Sequence, residues 1–467
     1  MSTLTPDLFA TLDLREDQYS TASADRNHHS RDWGTADVDA VEPDVVVWPE
    51  STDDVSAVLS AASEHGVPVT PFAAGTGIEG NAVPTHGGIS LDMTRMDSIL
   101  DVRPDDFQID VQPGALGSEV NEALERYGLF FPPLPTSGDI ATIGGMIATN
   151  AAGKQTVKYG KVGDWVLELE AVLADGSVVE PGTRAAKSSS GYNLRDLVVG
   201  SEGTLAVVTR ATLKLAGRPE QKRAGRVVFD SFDTAAAAAS DVVRSGVDVA
   251  ALELIDALSA EAVNAYLGGS LPEKPMAFLE FHANHGIEEE LDFCRTVLSG
   301  YDPLSVEFGD ESAQADLWAA RRELADATRA YYPDRQSTAA GDVAVPISRY
   351  PELIDRIHDL SDECGLPIPC FGHAGDGNVH FDVFADPDDE AEWARGVEAY
   401  ETVVSEAIRL DGTATAEHGV GRGKRKFMIE EHGADGVRAM RALKRALDPH
   451  GILNPGKVLP EPDVTDD

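Results

Sequence analysis

The segment CFGHAGDGNVHFDVF, Cys370–Phe384, sets two histidines on either side of the pair Asp376-Gly377. Asp-Gly is a type I′ hairpin signal. With those two residues at the tip, the register expected is Gly375 with Asn378, Ala374 with Val379 and His373 with His380. Directly paired residues share one face, with Cβ atoms about 4.5–5.5 Å apart. Two imidazoles so placed can share a metal ion. Zinc suits such a set, and manganese suits one in which carboxylates dominate the other ligands. A third ligand is offered by TATAEHGVGRGK, Thr413–Lys424, where Glu417 and His418 are adjacent. Neighbours on a strand point to opposite sides. One division therefore gives Glu417 to the metal and His418 to a substrate. Taken singly, these are plainer things: two satisfied hairpin histidines and a solvated Glu-His pair.

A second set of residues could hold an anion. Gly75, Gly77 and Gly80 match GxGxxG. A Rossmann reading needs a helix directly after the loop. The next residues are NAVPTHGGIS, in which Pro84 and Gly87-Gly88 forbid one. Glycine still lets backbone N–H groups approach an anion closely. A second small-residue stretch, PTSGDIATIGGMIATNAAG from Pro135 to Gly153, lies in the same part of the chain. Two such stretches can line a long flat cofactor.

The elements that must position these residues can be read from periodicity. Val45–Trp48 reads as a short buried strand closed by Pro49. Thr52–His65 reads as a helix with Thr52 as N-cap and Val55, Val58, Leu59 and Ala62 at helical spacing. Val67–Thr70, Leu167–Ala174 and Gly203–Leu215 read as strands, with Asp175-Gly176 as a turn. The texture changes near Gly217-Arg218-Pro219. Beyond it, Arg226–Phe229, Ala250–Ile255 and Met276–Phe281 alternate with helices over Thr234–Arg244 and Ile287–Leu298. That is a second α+β unit. The tail is helical from Gly433 to Asp448-Pro449, and NPGKVLP is extended. The domains expected are a helical lead-in over 1–40, a unit over 41–217, a second over 218–445 and a returning tail over 446–467.

Bulk composition narrows the function. Lys and Arg total 38 against 80 Asp and Glu, a net charge of −42. Such a surface repels phosphate backbones and anionic membranes, which excludes nucleic-acid binding. The acids are spread along the chain and Arg outnumbers Lys, as in a coat adapted to concentrated salt. Cys294, Cys364 and Cys370 form no CxxC pair, which fits a reducing compartment and leaves no iron–sulfur or haem motif. No signal peptide and no membrane-spanning run is read in the sequence. The expected location is the cytoplasm, at most peripheral to the inner face of the membrane.

Four motifs in order make the first half familiar. PFAAGTGIEGN, VQPG at Val111–Gly114, PTSGDIATIGG and SSSGYNLRDLVVGSEGTLAVVT at Ser188–Thr209 resemble the FAD domain of the vanillyl-alcohol-oxidase/p-cresol-methylhydroxylase superfamily over roughly 40–217. The resemblance implies that Ala74, Gly75, Thr76, Gly77, Gly80 and Asn81 meet the FAD pyrophosphate. Thr136, Ser137, Gly138, Gly145, Asn150, Gly153, Glu202, Gly203 and Val207 would line the rest of the cofactor. Members with covalent flavin carry a His in the first loop. This loop has none, so the FAD is expected to be dissociable.

The second half resembles the C-terminal domain of FAD-linked 2-hydroxy-acid dehydrogenases. The motifs are GHAGDGNVH, TATAEHGVGRGK, FLEFH at Phe278–His282, DVAVPISR at Asp342–Arg349 and LDPHGILNPGKVL at Leu447–Leu459. They look like the D-lactate dehydrogenase (cytochrome-type) branch, beside the glycolate oxidase flavoprotein subunit and D-2-hydroxyglutarate dehydrogenase. The resemblance implies a two-part FAD domain followed by a ferredoxin-like α+β cap. It makes His373, His380 and Glu417 metal ligands, His418 the base, and Asn454 a residue that returns to the flavin. It puts the substrate carboxylate on Arg321, three residues after Trp318, with Arg322 as the neighbouring alternative. Relatives acting on 2-hydroxyglutarate tend to carry a basic residue just before DVAVP. Here that stretch is Ala339, Ala340 and Gly341, which favours a short monocarboxylate. Electrons would leave to a separate carrier, an electron-transfer flavoprotein, quinone or cytochrome. The rival reading is a non-catalytic flavin-binding subunit of an oxidase complex.

Overall fold

The computed structural model describes residues 12, 14–36, 39–310 and 315–461. The lead-in expected over 1–40 lies partly outside them. Its described part holds a 3-10 turn at Glu16–Gln18 and the helix Ser23–His28. The chain divides into two compact units. The first comprises Met1–Ala152, Lys161–Arg218 and Glu417–Asp467, and the second Gly153–Gly160 and Pro219–Ala416. The return to the first unit thus begins at Glu417, upstream of the tail expected from 446, and nothing in the sequence marked the short excursion at Gly153–Gly160.

In the first unit, β1 (Tyr19–Ser20), β2 (Val45–Val47), β3 (Val69–Phe72) and β4 (Ile89–Asp92) form a sheet in the order β1-β2-β4-β3. β2 and β3 run parallel to β4. A parallel strand covered on both faces is apolar throughout, as Val45–Val47 is. The crossover between β2 and β3 is the helix Thr52–His65, which buries Val55, Val58, Leu59 and Ala62. Full burial of one such Leu contributes about 1.5–3 kcal/mol. The cap is Ser51 rather than Thr52: Ser51 Oγ accepts from the Asp54 amide at 3.1 Å. The Thr52 hydroxyl is engaged elsewhere, donating to Glu170 at 2.6 Å.

Seven strands follow: β5 (Ile99–Arg103), β6 (Gln108–Val111), β7 (Leu129–Phe130), β8 (Val166–Val172), β9 (Val178–Val179), β10 (Val207–Lys214) and β11 (Ala216–Gly217). Five make an antiparallel sheet, β5-β6-β10-β8-β9, and β7 pairs with β11. Asp175-Gly176 turns β8 into β9, with Gly176 at φ 85°. The helix Met428–Leu447 is broken at Gly433, whose φ is 69°. The tail then comes back to the edge of the first sheet. Val69 donates to Ile452 O and accepts from Asn454 N, both at 2.8 Å.

The second unit is one antiparallel sheet: β12 (Gln221–Val228), β13 (Val249–Ile255), β14 (Met276–Ala283), β15 (Ser305–Gly309), β16 (Gln336–Ala344), β17 (Cys370–Gly372) and β18 (Asn378–Ala385), in the order β15-β12-β14-β13-β17-β18-β16. The first four take the fourth-first-third-second order of a ferredoxin-like unit. Cross-strand partners share a face, and the register therefore sorts the side chains. Glu280 faces Ala251, Phe278 faces Glu253, Ile255 faces Phe371, Phe371 faces His380, and His380 faces Asp342. All these lie on one face. The alternate residues, Leu252, Leu254, Leu279, Phe281, Val343, Val379 and Phe381, form the other, against helices including Phe232–Arg244 and Glu390–Arg409. One face is core and the other carries chemistry.

The hairpin differs from its expected register. His380 pairs with Phe371, not with His373. A two-residue type I′ turn needs positive φ at both central residues. Gly377 has φ 83°, but Asp376 is not in that region. Residues 373–377 form a longer loop, in which His373 O accepts from the amides of both Asp376 and Asn378 at 3.2 Å.

Candidate active site

The register change leaves the two imidazoles close. The rings of His373 and His380 have centroids 5.2 Å apart at 87°. His373 Nδ1 bonds to Glu253 Oε1 at 2.5 Å. A carboxylate on Nδ1 fixes an imidazole for coordination through Nε2. The other oxygen of Glu253 accepts from Arg321 Nε at 2.5 Å. Glu253 is fully buried, which pushes its pKa up, but Arg321 and His373 outweigh burial and bring it down to about 2. Arg321 is buried and stacks over Phe371 at 5.0 Å, whereas Arg322 is exposed. Arg321 is thus the pre-organised cation of the pair.

His380 Nδ1 lies 3.7 Å from Asp342 Oδ1, so the two offer an imidazole nitrogen and a carboxylate oxygen to one ion. Asp342 is fully buried and is held by Asn378 Nδ2 at 2.8 Å, Thr415 Oγ1 at 3.1 Å and the Ala416 amide at 2.9 Å. In the sequence, Asp342 of DVAVP has no evident role and Glu253 belongs to no motif. Alternation along β13 and β16 is the available signal, but it requires the true register.

In the first unit, Glu417 and His418 lie in a bend, with Glu417 Oε1 3.5 Å from His418 Nε2. Their side chains do not diverge, because the segment is not a strand. Asn81 Nδ2 donates to His418 O at 3.3 Å and to Glu202 Oε2 at 2.6 Å. Glu202 also accepts from the amides of Val420 and Gly421 at 2.7 and 2.9 Å. Burial holds its pKa up against these bonds. Asn454 Nδ2 donates to Asn81 O at 3.0 Å and Glu202 O at 2.7 Å. Glu202 N donates to Ala148 O at 2.8 Å. Five segments far apart in sequence are thereby knitted together: the first loop, Pro135–Ala152, the EGTL segment, Thr413–Lys424 and the tail.

The first loop has room for a ligand at its backbone. Ala74 is exposed, and Gly75, Thr76 and Gly77 are partly so. Gly75 and Gly80 sit at φ 64° and 71°, and a Cβ at Gly77 would lie 2.7 Å from Asn81 Oδ1. No helix follows Gly80. Thr136 and Gly145 are exposed, Ser137 and Asn150 partly so, and Gly138 is buried. Gly145 donates to the N-cap Thr142 Oγ1 at 3.2 Å, and Asn150 Oδ1 accepts from Gly163 at 2.9 Å. A Cβ at Gly203 would meet Pro71 at 2.8 Å, and Val207 opens β10. Gly153 falls in the second unit. Sequence reasoning missed Lys457 of NPGK. It is buried, and donates to Val83 O at 2.5 Å and Thr85 Oγ1 at 2.9 Å. Burial, then Arg422, brings its pKa down to about 7.

The fold matches known flavoprotein structures. p-Cresol methylhydroxylase with substrate bound superposes with a TM-score of 0.77 at 14% identity, over 100% of this chain and 99% of the other. 4-Ethylphenol oxidase from Gulosibacter chungangensis gives 0.77 at 17% identity, over 98% and 99%. The architecture is that of a p-cresol-methylhydroxylase-type FAD-binding protein. Residues 43–182 match the family described as FAD binding domain, and 218–458 the family described as FAD linked oxidases, C-terminal domain. The D-lactate dehydrogenase [cytochrome], mitochondrial, of Arabidopsis thaliana is 36% identical over 96% of this chain and 79% of its own length. The glycolate oxidase subunit GlcD of Bacillus subtilis is 36% identical over 89% of each. The chain belongs to the FAD-linked oxidase family and is an FAD-dependent oxidoreductase.

Proposed function

We propose that the chain oxidises a small D-2-hydroxy acid, D-lactate first, to the 2-oxo acid. The observation that carries this is the buried Arg321–Glu253–His373 relay, in which one carboxylate fixes both the cation for an acid's carboxylate and a metal-ligating imidazole. Glu253 occupies Nε of Arg321, so the terminal nitrogens can form the bidentate pair that favours carboxylates. The relatives named D-lactate dehydrogenase and glycolate oxidase subunit support the same substrate class.

The donor set fits a divalent metal, zinc or manganese: His373, His380 and Glu417, with Asp342 beside His380. Glu417 is bonded directly to Ala416, whose amide donates to Asp342. Such an ion supplies Lewis acidity to the substrate hydroxyl. The glycine loop and the Asn81–Glu202–Asn454 knot fit non-covalent FAD, which supplies the hydride acceptor for C2. Arg321 orients the carboxylate. His418 takes the hydroxyl proton, its backbone held by Asn81. Electrons then pass to a separate carrier. The three thiols, unpaired among the described residues, suit the cytoplasm. Among those residues no helix is long and apolar enough to cross a membrane.

The test is dye-linked turnover by the purified holoenzyme over a panel of 2-hydroxy acids. D-lactate should give the highest kcat/KM, above L-lactate, glycolate and D-2-hydroxyglutarate, and acid precipitation should leave yellow flavin in the supernatant. A preference for the dicarboxylate, or flavin without turnover of any acid, overturns the reading.

A further inference from the structure

The chemical face of the second unit holds a second charged cluster that the proposed reaction does not use. Glu280 projects from β14, two residues from Phe278, which directly faces Glu253. Diagonal neighbours of this kind lie roughly 7–8 Å apart, their β-carbons somewhat closer. Each glutamate holds its own cation. Glu253 binds Arg321, and Glu280 Oε2 binds Lys154 Nζ at 2.8 Å. Lys154 comes from the Gly153–Gly160 excursion, which belongs to this unit. Its ammonium also lies 4.0 Å from the ring of Trp318, on the same helix as Arg321 and three residues before it. Residues three apart on a helix are surface neighbours. Arg321 and Lys154 are therefore two cations tied to neighbouring positions of one helix, each held by its own glutamate of the same sheet face.

The second cation is neutralised. Glu280 is buried and is oriented by two further contacts: Gln155 Nε2 donates to Oε1 at 3.1 Å and His282 Nε2 bonds Oε1 at 2.6 Å, the imidazole in turn meeting Tyr159 OH through Nδ1 at 2.8 Å. Burial pushes the Glu280 pKa up, but His282 and Lys154 bring it down to about 2, so the carboxylate is charged at any pH at which the enzyme works. A distal carboxylate arriving beside Lys154 would meet the Glu280 charge as well as the ammonium.

We propose that Glu280 is a specificity-determining residue that restricts this site to monocarboxylic 2-hydroxy acids by neutralising Lys154. The proposal rests on the reading that Arg321 holds the substrate's C1 carboxylate. Ala339–Gly341 provide no cation for a second carboxylate. Lys154 provides one, and Glu280 occupies it.

The experiment compares D-lactate with D-2-hydroxyglutarate in holoenzyme variants, by turnover and by direct binding followed in the flavin absorbance. Glu280→Gln keeps the shape and the contacts to Gln155 and His282 but frees the ammonium. The ratio of dicarboxylate to D-lactate, in kcat/KM and in affinity, should rise about 10-fold or more, roughly the worth of one charge-assisted contact. Glu280→Gln/Lys154→Met should return that ratio to the wild-type value. Lys154→Met alone removes a partly exposed side chain and leaves Glu280 uncompensated, so the ratio should fall below wild type. It serves as the test if Glu280→Gln does not fold. An unchanged ratio in folded, flavin-loaded Glu280→Gln overturns the proposal, as does a gain that survives removal of Lys154. Failure of wild type to bind or oxidise any monocarboxylate sinks the underlying function instead. In that event the binding ratio for dicarboxylates between wild type and Glu280→Gln still decides the role of Glu280.

Discussion

Both units bury charge, but they hold it differently. In the second unit, Glu253 and Glu280 are matched by side-chain cations and imidazoles, and their pKa values are about 2. In the first, Glu202 and Lys457 are met mainly by backbone groups, amides and a hydroxyl. Burial wins there: Glu202 is pushed up, and Lys457 is brought down to about 7. The sheet face is organised before any ligand arrives, because its charges already satisfy one another. The loops of the first unit carry these charges at a cost, and for the Lys457 ammonium an anionic cofactor would offset it.

The largest effect expected comes from separating the proposed base from the proposed metal ligands. Loss of a general base costs about 10²–10⁴ in rate. His418→Asn should keep FAD and metal yet lose flavin reduction by D-lactate to that extent. His380→Ala should lose metal and turnover together while retaining FAD, since the strand that carries it holds none of the cofactor motifs. Elemental analysis beside stopped-flow bleaching reads both. Metal loss in His418→Asn, or a wild-type reduction rate, would break the division of labour between base and metal.

The same contrast decided what could be read in advance. The first unit was legible because its function is written in backbone: glycines, small residues and the absence of a helix after Gly80 are properties of sequence order. The stripe Val55, Val58, Leu59, Ala62 and the helix Ile287–Leu298 were legible for the same reason, since periodicity is local. The second unit depends on register. His373 was paired with His380 on the strength of Asp376-Gly377, and the turn closed differently because Asp376 does not adopt positive φ. Glu253, Glu280 and Asp342 became functional neighbours only once β13, β14, β16 and β18 were in place. Lys457 was hidden for another reason: a lysine in NPGK reads as solvated until burial is known.

A smaller effect is the pH dependence of stability. For Glu253 and Glu280 the folded pKa is about 2, below the ordinary 4.5. Their contribution is present above pH 4.5 and is lost as pH falls from there toward 2, on the order of 3 kcal/mol each. For Lys457 the folded pKa is about 7, below the ordinary 10.5. Between those values the unfolded chain binds the extra proton, so the Lys457 contribution to stability of the FAD-free protein should rise from pH 7 to 10.5, by at most about 5 kcal/mol, opposed above pH 9 by the buried thiols Cys294 and Cys370, whose pKa values burial raises. Lys457→Met should flatten the alkaline limb and leave the acid limb. Denaturant midpoints measured across pH read both, and an alkaline limb unchanged in Lys457→Met would refute the buried-amine account.

The smallest effect separates buried charge from surface charge. The net charge of −42 is carried largely by exposed acids, and ordinary pairs such as Arg15–Glu50 and Arg218–Glu125 are open to solvent. An exposed pair is worth about 0–1 kcal/mol, and salt weakens it. Repulsion among the surplus acids is also screened, over a Debye length of about 10 Å at 0.1 M and 3 Å at 1 M. With more than two acids per base, relief of repulsion outweighs loss of pairs, so the thermal midpoint should rise from low salt to molar KCl. The buried Glu253–Arg321 pair and the Lys457 amine are shielded from ions by protein, as is the Glu280 carboxylate, although its partner Lys154 is partly exposed. The acid limb and the alkaline limb should therefore keep their positions while the whole curve moves up. A flat or falling midpoint would mean that the acidity serves something other than salt. A salt-dependent shift of either limb would mean that these charges are not insulated as the structure places them.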